Sequence, residues 1–183
     1  METVLKSRST TVTLSPARPT VLIGENLGAA ASSSLADALR EDDLGRLRRE
    51  TEEQVSAGAD VLGSNVGAPG IDQVECLPRA VRVILKSVNV PSSIDSADFD
   101  ALEMALTAYK EFAPNGKPLI NSVNREDRYR DAILSMASDY GSAVIGMAAD
   151  DEGIAETPAM KRSPTNASQI PNKGTRPPCQ KVT

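Results

Sequence analysis

The feature that most constrains this chain is a repeated alternation between short apolar runs and amphipathic segments. Five apolar runs, at 21–23, 61–62, 90–94, 118–120 and 143–145, follow one another at intervals of about 25 to 40 residues, the spacing of βαβ units. Apart from Ser92 and Ser93 in the third, the runs are continuously apolar rather than alternating, as in strands that are covered on both faces of a parallel sheet. The pattern predicts an α/β fold of parallel (β/α) repeats and argues against a β-sandwich.

Between these runs, apolar residues recur at helical spacing. The longest stripe predicts a helix from about Asn124 to Gly141. Three further stripes predict helices that begin near Leu44, Val74 and Phe99. Their residues are Leu44, Leu47, Thr51 and Val55, closed by Gly58; Val74, Leu77, Val81, Ile84, Leu85 and Val88, preceded by a capping box of Asp72 and Glu75; and Phe99, Leu102, Leu106 and Tyr109. We interpret all four stripes as core-facing.

Composition excludes several kinds of chemistry. The 183 residues include no histidine and two cysteines, Cys76 and Cys179, which lie far apart in the sequence. Ser-His-Asp and Cys-His catalysis, zinc sites and a disulfide framework are therefore not expected, and we predict no metal site. The sequence also lacks a P-loop and a glycine-rich dinucleotide fingerprint.

Charge and local composition predict three segments. Residues 1–20 are expected to form a leader or a short covering hairpin, residues 21–157 a partial barrel domain, and residues 158–183 a disordered proline-rich tail. The tail is basic and the body acidic, with a net charge of −5 for the whole chain, which disfavours nucleic-acid binding. No apolar stretch approaches the roughly 20 residues that span a bilayer, and no secretory signal is recognised, so we expect no membrane partner and a cytoplasmic protein.

Polar residues follow every apolar run. In parallel (β/α) folds the binding face lies at the carboxyl ends of the strands, so these residues are candidates for a shared site. Carboxylates and amides without lysine or arginine suit a neutral heterocycle with N–H donors and carbonyl acceptors. Taken one at a time, the same residues could simply be turn and helix-cap residues. They are Glu25 with Asn26, Ser64 with Asn65, Asp95 with Ser96, Asn121 with Ser122, and Asp150 with Asp151.

Five segments in order resemble the pterin-binding family, and most of all its methyltetrahydrofolate:corrinoid methyltransferases. The segments are 21–26 (VLIGEN), 58–62 (GADVL) with 65–70 (NVGAPG), 94–96 (IDS), 117–123 (KPLINSV) and 150–154 (DDEGI). By this resemblance Asp95 and Asn121 match the family's pterin-binding Asp and Asn. Asn65 matches the Asn of the second-strand motif, and Glu25 matches the Glu of the first-strand motif. We also place Ser96 and Asp150 in the substrate-binding set, and no catalytic residue is singled out.

The resemblance implies a TIM barrel that binds methyltetrahydrofolate and passes its methyl group to the cobalt of a corrinoid (cobalamin). A partner protein or domain would carry that corrinoid. A complete barrel has eight units and roughly 250 residues, whereas five units are recognised here, so we expect a barrel truncated after about five units. The family's further Asp and Asn beyond the sixth strand have no match in the tail.

Two departures and two alternatives accompany the resemblance. The segment after Glu25 lacks the family's usual Arg-Ile-Asn, and residues 63–65 (GSN) stand where an Asp-Val-Asn is usual, without the carboxylate. One alternative is dihydropteroate synthase, which would need basic residues for a diphosphate at the barrel mouth. The other is a non-catalytic fragment that binds a pterin or forms a homodimer. Enzymatic activity is therefore left open.

Overall fold

A computed structural model describes residues 2–25, 33–41, 43–123, 127–147, 149–150 and 153–154. The chain starts with a hairpin of β1 (Thr3–Lys6) and β2 (Thr11–Leu14), and then strands alternate with helices. The remaining elements are β3 (Ile23–Gly24), α1 (Ser33–Arg40), α2 (Leu44–Ser56), β4 (Val61–Ser64), α3 (Gln73–Ser87), β5 (Ser92–Asp95), α4 (Phe99–Phe112), β6 (Leu119–Val123), α5 (Asp127–Tyr140), β7 (Ala143–Gly146), β8 (Ala149–Asp150) and β9 (Gly153–Ile154).

The central sheet has five parallel strands in the order β3-β4-β5-β6-β7. Each strand is paired with its neighbour in the chain, so the order contains no reversal of the kind that marks a doubly wound sheet. Connections between parallel strands are almost always right-handed, which places successive helices on one face of such a sheet. The arrangement confirms the predicted α/β fold of (β/α) repeats and is compatible with part of a TIM barrel, whereas barrel closure and truncation stay predictions.

Two hydrophobic clusters lie on the two faces of this sheet. Leu62, Ile94 and Ile120 belong to the larger cluster, together with the buried faces of the helices. Val61 and Leu119, on alternate positions of the same strands, belong to a smaller cluster around Leu5 of the hairpin. Successive side chains of a strand point to opposite faces. The helices therefore cover one face, and the other is covered by the hairpin at one end.

Aspartate caps start three of the helices. The side chain of Asp72 accepts hydrogen bonds from the backbone N–H groups of Val74 (2.9 Å) and Glu75 (3.2 Å), and Asp98 caps α4 in the same way. Asp43 caps α2. Because these side chains satisfy backbone donors that have no partner within the helix, they fix where each helix begins.

The hairpin closes the amino-terminal end of the sheet. Lys6 exchanges two backbone hydrogen bonds with Lys117, which precedes β6, at 2.9 and 2.7 Å. The hydroxyl of Tyr109 on α4 donates to the carbonyl of Lys6 at 2.8 Å, and burial raises the pKa of Tyr109. The structure thus has a hairpin of β1 and β2 that covers this end of the sheet.

The predicted elements agree with the structure within a few residues at their ends. The first strand was expected at 21–23, yet it is Ile23–Gly24, because the backbone of Leu22 bonds to Asp60 outside the ladder. Pro118 lies outside β6, since proline has no N–H for the ladder. Helix α1 and the β8–β9 pair were not predicted. Residues 124–126, the expected start of the last helix, lie outside the described residues, as does the tail.

None of the helices among the described residues is long and apolar enough to cross a membrane.

We predict that Tyr109→Phe loses about 1 kcal/mol of unfolding free energy at pH 7, because the Lys6 carbonyl loses its side-chain donor. In the wild type, the unfolded state releases the phenol proton above about pH 10 while the folded state retains it, so stability falls as pH rises. The variant should therefore show a smaller loss between pH 8 and pH 11 in urea titrations.

Ser56→Ala is the control for this prediction, since it removes a hydroxyl that donates to the Glu52 carbonyl at 2.8 Å but does not titrate in this range. Its difference from the wild type should be the same at both pH values. Identical alkaline slopes for wild type and Tyr109→Phe would contradict the prediction.

Candidate functional site

Three of the candidate residues form a row across neighbouring strands. Asp95, at the end of β5, is the register partner of Asn121 in β6. Asn65 directly follows β4, and its amide Nδ2 donates to Asp95 Oδ2 at 2.9 Å. Register partners in a parallel sheet project to the same face. The structure thus brings Asn65, Asp95 and Asn121 together at the carboxyl end of the sheet.

The row lies on the face opposite the helices. Ile94 and Ile120, which precede Asp95 and Asn121, pack into the helix-side cluster. Alternation along the strands then directs Asp95 and Asn121 to the other face. This is the face whose amino-terminal end is closed by the hairpin, so the polar row and the hairpin lie at opposite ends of one surface.

Glu25 lies beside β4, at a level closer to the amino-terminal end of the sheet than the row. It follows β3, and a Cβ added to Gly63 of β4 would lie 3.5 Å from Glu25 Cγ and 3.2 Å from the Gly24 carbonyl oxygen. Gly63 therefore leaves the space in which the Glu25 side chain runs.

Ser96 is not part of the row. Its hydroxyl donates to Gln73 Oε1 at 3.0 Å and accepts from the backbone N–H of Asp98 at 3.1 Å, and the residue is only 5% exposed. As the residue after Asp95, it projects toward the helices. The structure therefore places Ser96 in the turn that leads into α4.

Other candidates are placed only in part. The backbone of Asp150 pairs antiparallel with Gly153 in the β8–β9 pair, outside the parallel sheet, and its side chain is not among those described. Asn26 and Asp151 lie outside the described residues. Ser64 is 1% exposed, and its hydroxyl has no hydrogen-bond partner within the described part of the chain.

The amide of Asn65 is held at both ends. Its Oδ1 accepts the backbone N–H of Gly67 at 2.8 Å while its Nδ2 donates to Asp95. A carboxylate offers about four acceptor positions, so Asp95 retains acceptors beyond the one that Asn65 occupies. The row therefore combines a fixed acceptor with half-buried amides, a set that can hydrogen-bond to the donor and acceptor edge of a flat heterocycle.

Gln73 is the residue at this end of the sheet that sequence reasoning missed. It is the first residue of α3, and its amide bonds to Ser96 across 23 positions of sequence. The only local signal is its place directly after the N-cap Asp72, which does not reveal such a distant contact.

A parallel (β/α) sheet with a carboxylate and amides at its strand ends defines an α/β protein with a candidate ligand site on that edge. Residues 27–173 match the family model described as "Pterin binding enzyme", and the chain therefore belongs to the pterin binding enzyme family. The match includes Asn65, Asp95 and Asn121. It ends beyond residue 157, so the domain boundary placed there stays a prediction.

The chain is also similar to methionine synthase from Mycobacterium tuberculosis (strain ATCC 25618 / H37Rv). The two are 26% identical over 147 residues, which cover 77% of this chain and 12% of the relative. The chain thus spans a small part of the length of that protein.

We expect the hydrogen bond between Asn65 and Asp95 to stabilise the folded protein by about 1.5 kcal/mol, at the low end for a charged acceptor because both residues are half-buried. A double-mutant cycle with Asn65→Ala, Asp95→Ala and the double variant measures this coupling by urea denaturation. The contribution of the Asn65–Gly67 bond cancels, since that bond is lost with or without Asp95.

Arg48 and Glu52 provide the matched control cycle. They form an exposed ion pair at 2.9 Å, with side chains 66% and 44% exposed. Their coupling should stay below about 0.5 kcal/mol. A coupling between Asn65 and Asp95 that cannot be distinguished from zero would show that the two side chains do not pair.

Proposed function

We propose that this chain binds methyltetrahydrofolate by its pterin ring and transfers the methyl group to a corrinoid. The observation that carries the proposal is the row of Asn65, Asp95 and Asn121 at the carboxyl end of the parallel sheet. Membership of the pterin binding enzyme family supports the ring as ligand, and similarity to a methionine synthase supports methyl transfer.

The residues of the row suit the pterin ring. The amino-pyrimidine edge carries N–H donors, for which the Asp95 carboxylate is the natural acceptor. Asn121 can donate to the ring carbonyl and accept from a ring N–H with the same amide. Asn65, held by Gly67 and Asp95, keeps Asp95 oriented before the ligand arrives, which lowers the entropic cost of binding.

The reaction breaks the bond between a ring nitrogen and its methyl carbon and forms a bond from that carbon to cobalt. The corrinoid, carried by a partner protein or domain, supplies the nucleophile. The nitrogen keeps the electron pair of the broken bond, so it leaves readily only if it is protonated or strongly hydrogen-bonded. We therefore assign to this chain the positioning of the ring and the hydrogen-bond stabilisation of the developing charge, without a covalent intermediate.

Dihydropteroate synthase is less well supported. A diphosphate requires basic residues at the mouth of the site, and the described residues that directly follow the parallel strands include none. The second-strand segment also reads Asn65-Val66-Gly67, without the acidic motif expected of that enzyme. A pterin-binding module without catalysis is an outcome of the experiments below.

We predict that Asp95→Asn weakens methyltetrahydrofolate binding about 30-fold. The change retains the shape of the side chain but replaces one acceptor oxygen by a donor, and loss of a charged hydrogen bond costs about 2 kcal/mol. The dissociation constant is measured by isothermal titration calorimetry. Asp139→Asn, the same change at an exposed position on α5, is the control and should retain wild-type affinity. Equal affinity in all three proteins would show that Asp95 does not contribute to methyltetrahydrofolate binding.

For the wild type, we expect methyl transfer from methyltetrahydrofolate to free, chemically reduced cobalamin, followed by the change in the cobalamin absorption spectrum. Asp95→Asn should slow the reaction at subsaturating substrate by at least its loss of affinity, since ring positioning precedes transfer. Tight pterin binding with no transfer, even with a corrinoid protein present, would restrict the function to pterin binding.

A further inference from the structure

Two polar turns meet at the carboxyl end of the sheet, and one side chain lies between them. The first turn, residues 65–67, follows β4 and carries Asn65. The second, residues 95–98, starts at Asp95, the last residue of β5. On the ligand face the two turns are joined by the hydrogen bond from Asn65 to Asp95. On the helix face, Gln73 of α3 lies against both.

The contact with the second turn is a hydrogen bond. Gln73 Oε1 accepts from the Ser96 hydroxyl at 3.0 Å. The same hydroxyl accepts the N–H of Asp98, whose carboxylate in turn caps α4 through the N–H groups of Asp100 and Ala101. Gln73 thus links the start of α3 to the start of α4 through the residue that follows Asp95.

Gln73 also lies near the first turn. A Cβ added to Gly67 would lie 3.7 Å from both terminal atoms of the Gln73 amide, and 3.1 Å from Asn65 Oδ1. The backbone N–H of Gly67 is the donor that holds Asn65 Oδ1. The Gln73 amide therefore borders the peptide that orients Asn65.

We propose that Gln73 is a positioning residue for the pterin site: through Ser96 on one side and Gly67 on the other, it holds Asp95 and Asn65 in register. This inference rests on the proposed function for its consequence in ligand binding, but not for its structural content. The position of Gln73 is itself fixed, because the adjacent Asp72 caps α3 with two hydrogen bonds. The capped start of α3 thereby sets the geometry at the ends of β4 and β5.

Asn65 and Asp95 can bind a flat ring only if neighbouring residues hold the two side chains in place. Displacement of a binding group by about 1 Å can cost up to roughly a hundredfold in rate, and binding groups on turns are precise only when a supporting set of contacts locks them. Without Gln73, Ser96 would lose its acceptor and Gly67 its neighbour, while both Asn65 and Asp95 would remain present.

The test uses the full chain and two readouts. Gln73→Leu removes the acceptor at similar volume, and Gln73→Glu retains an acceptor oxygen for Ser96. The first readout, without ligand, is the side-chain amide signal of Asn65 in proton–nitrogen correlation spectra. The second is the dissociation constant of methyltetrahydrofolate. Ser87→Ala is the control, since it removes a hydroxyl bond of 2.8 Å to Val83 at the far end of the same helix.

We expect Gln73→Leu to shift the Asn65 signal and weaken binding about tenfold, Gln73→Glu to restore the signal and most of the affinity, and Ser87→Ala to change neither. Ser96→Ala provides a second approach. The shift in the double variant with Gln73→Leu should be smaller than the sum of the two single shifts, because both changes remove the same hydrogen bond between Ser96 and Gln73.

An unchanged Asn65 signal in Gln73→Leu would overturn the inference, whether or not the protein binds a pterin. If the signal moves but the wild type binds no methyltetrahydrofolate, the proposed function fails and the positioning role of Gln73 stands. An equal effect of Ser87→Ala would reduce Gln73 to a general stabiliser of α3 and would also overturn the inference.

Discussion

The parallel register of β4, β5 and β6 is the constraint on which the rest of the structure depends. Pairing of Ser64 with Ile94, and of Asp95 with Asn121, fixes which side chains lie next to each other across three strands. A slip of one residue would move every side chain of a strand to the opposite face. Asp95 would then point into the helix-side core, where an unpaired carboxylate is costly, and Ile94 would face the ligand. The packing of apolar residues against the helices therefore also determines the position of the polar row.

Much of the fold could be predicted because the periodicity of the sequence reports burial. Val61, Leu119 and most residues of the helical stripes are apolar for a packing reason, and the structure buries them wholly or in part. Val74 is the exception: it was expected to face the core, but it lies in the first turn of α3 and is 37% exposed. Helix α1 buries Leu35, Ala36, Ala38 and Leu39, and it was missed because only two of these four residues have large apolar side chains. The strand ends moved by one or two residues where local chemistry, such as that of Pro118, overrides hydrophobicity.

The candidate site was predictable only in part, for a geometric reason. Asp95 ends β5 and Ser96 follows it, so alternation allows only one of the two side chains to lie on the face that carries the polar row. The sequence does not state which one, because both are polar; the neighbour Ile94 decides it by packing against the helices. The contact between Gln73 and Ser96 depends on how α3 lies over the sheet, and no local sequence pattern encodes that placement. Residues that touch a ligand can be read from motifs, whereas those that hold them in place require the tertiary structure.

The two ends of the sheet differ in the side chains that they carry. At the amino-terminal end, Leu5 packs against the sheet and the backbone of Lys6 bonds to Lys117. The hydroxyl of Tyr109 links the hairpin to α4 by a hydrogen bond. At the carboxyl end, Gly63 leaves space and the polar row supplies hydrogen bonds in place of apolar packing. A polar row would be unstable if the opposite end were loose as well, because half-buried amides and carboxylates contribute little net stability. The packing at the amino-terminal end thus allows the carboxyl end to retain polar groups that do not face the core. Helix α4 connects the two ends, since the residue before its start bonds to Ser96 and its later turns carry Tyr109.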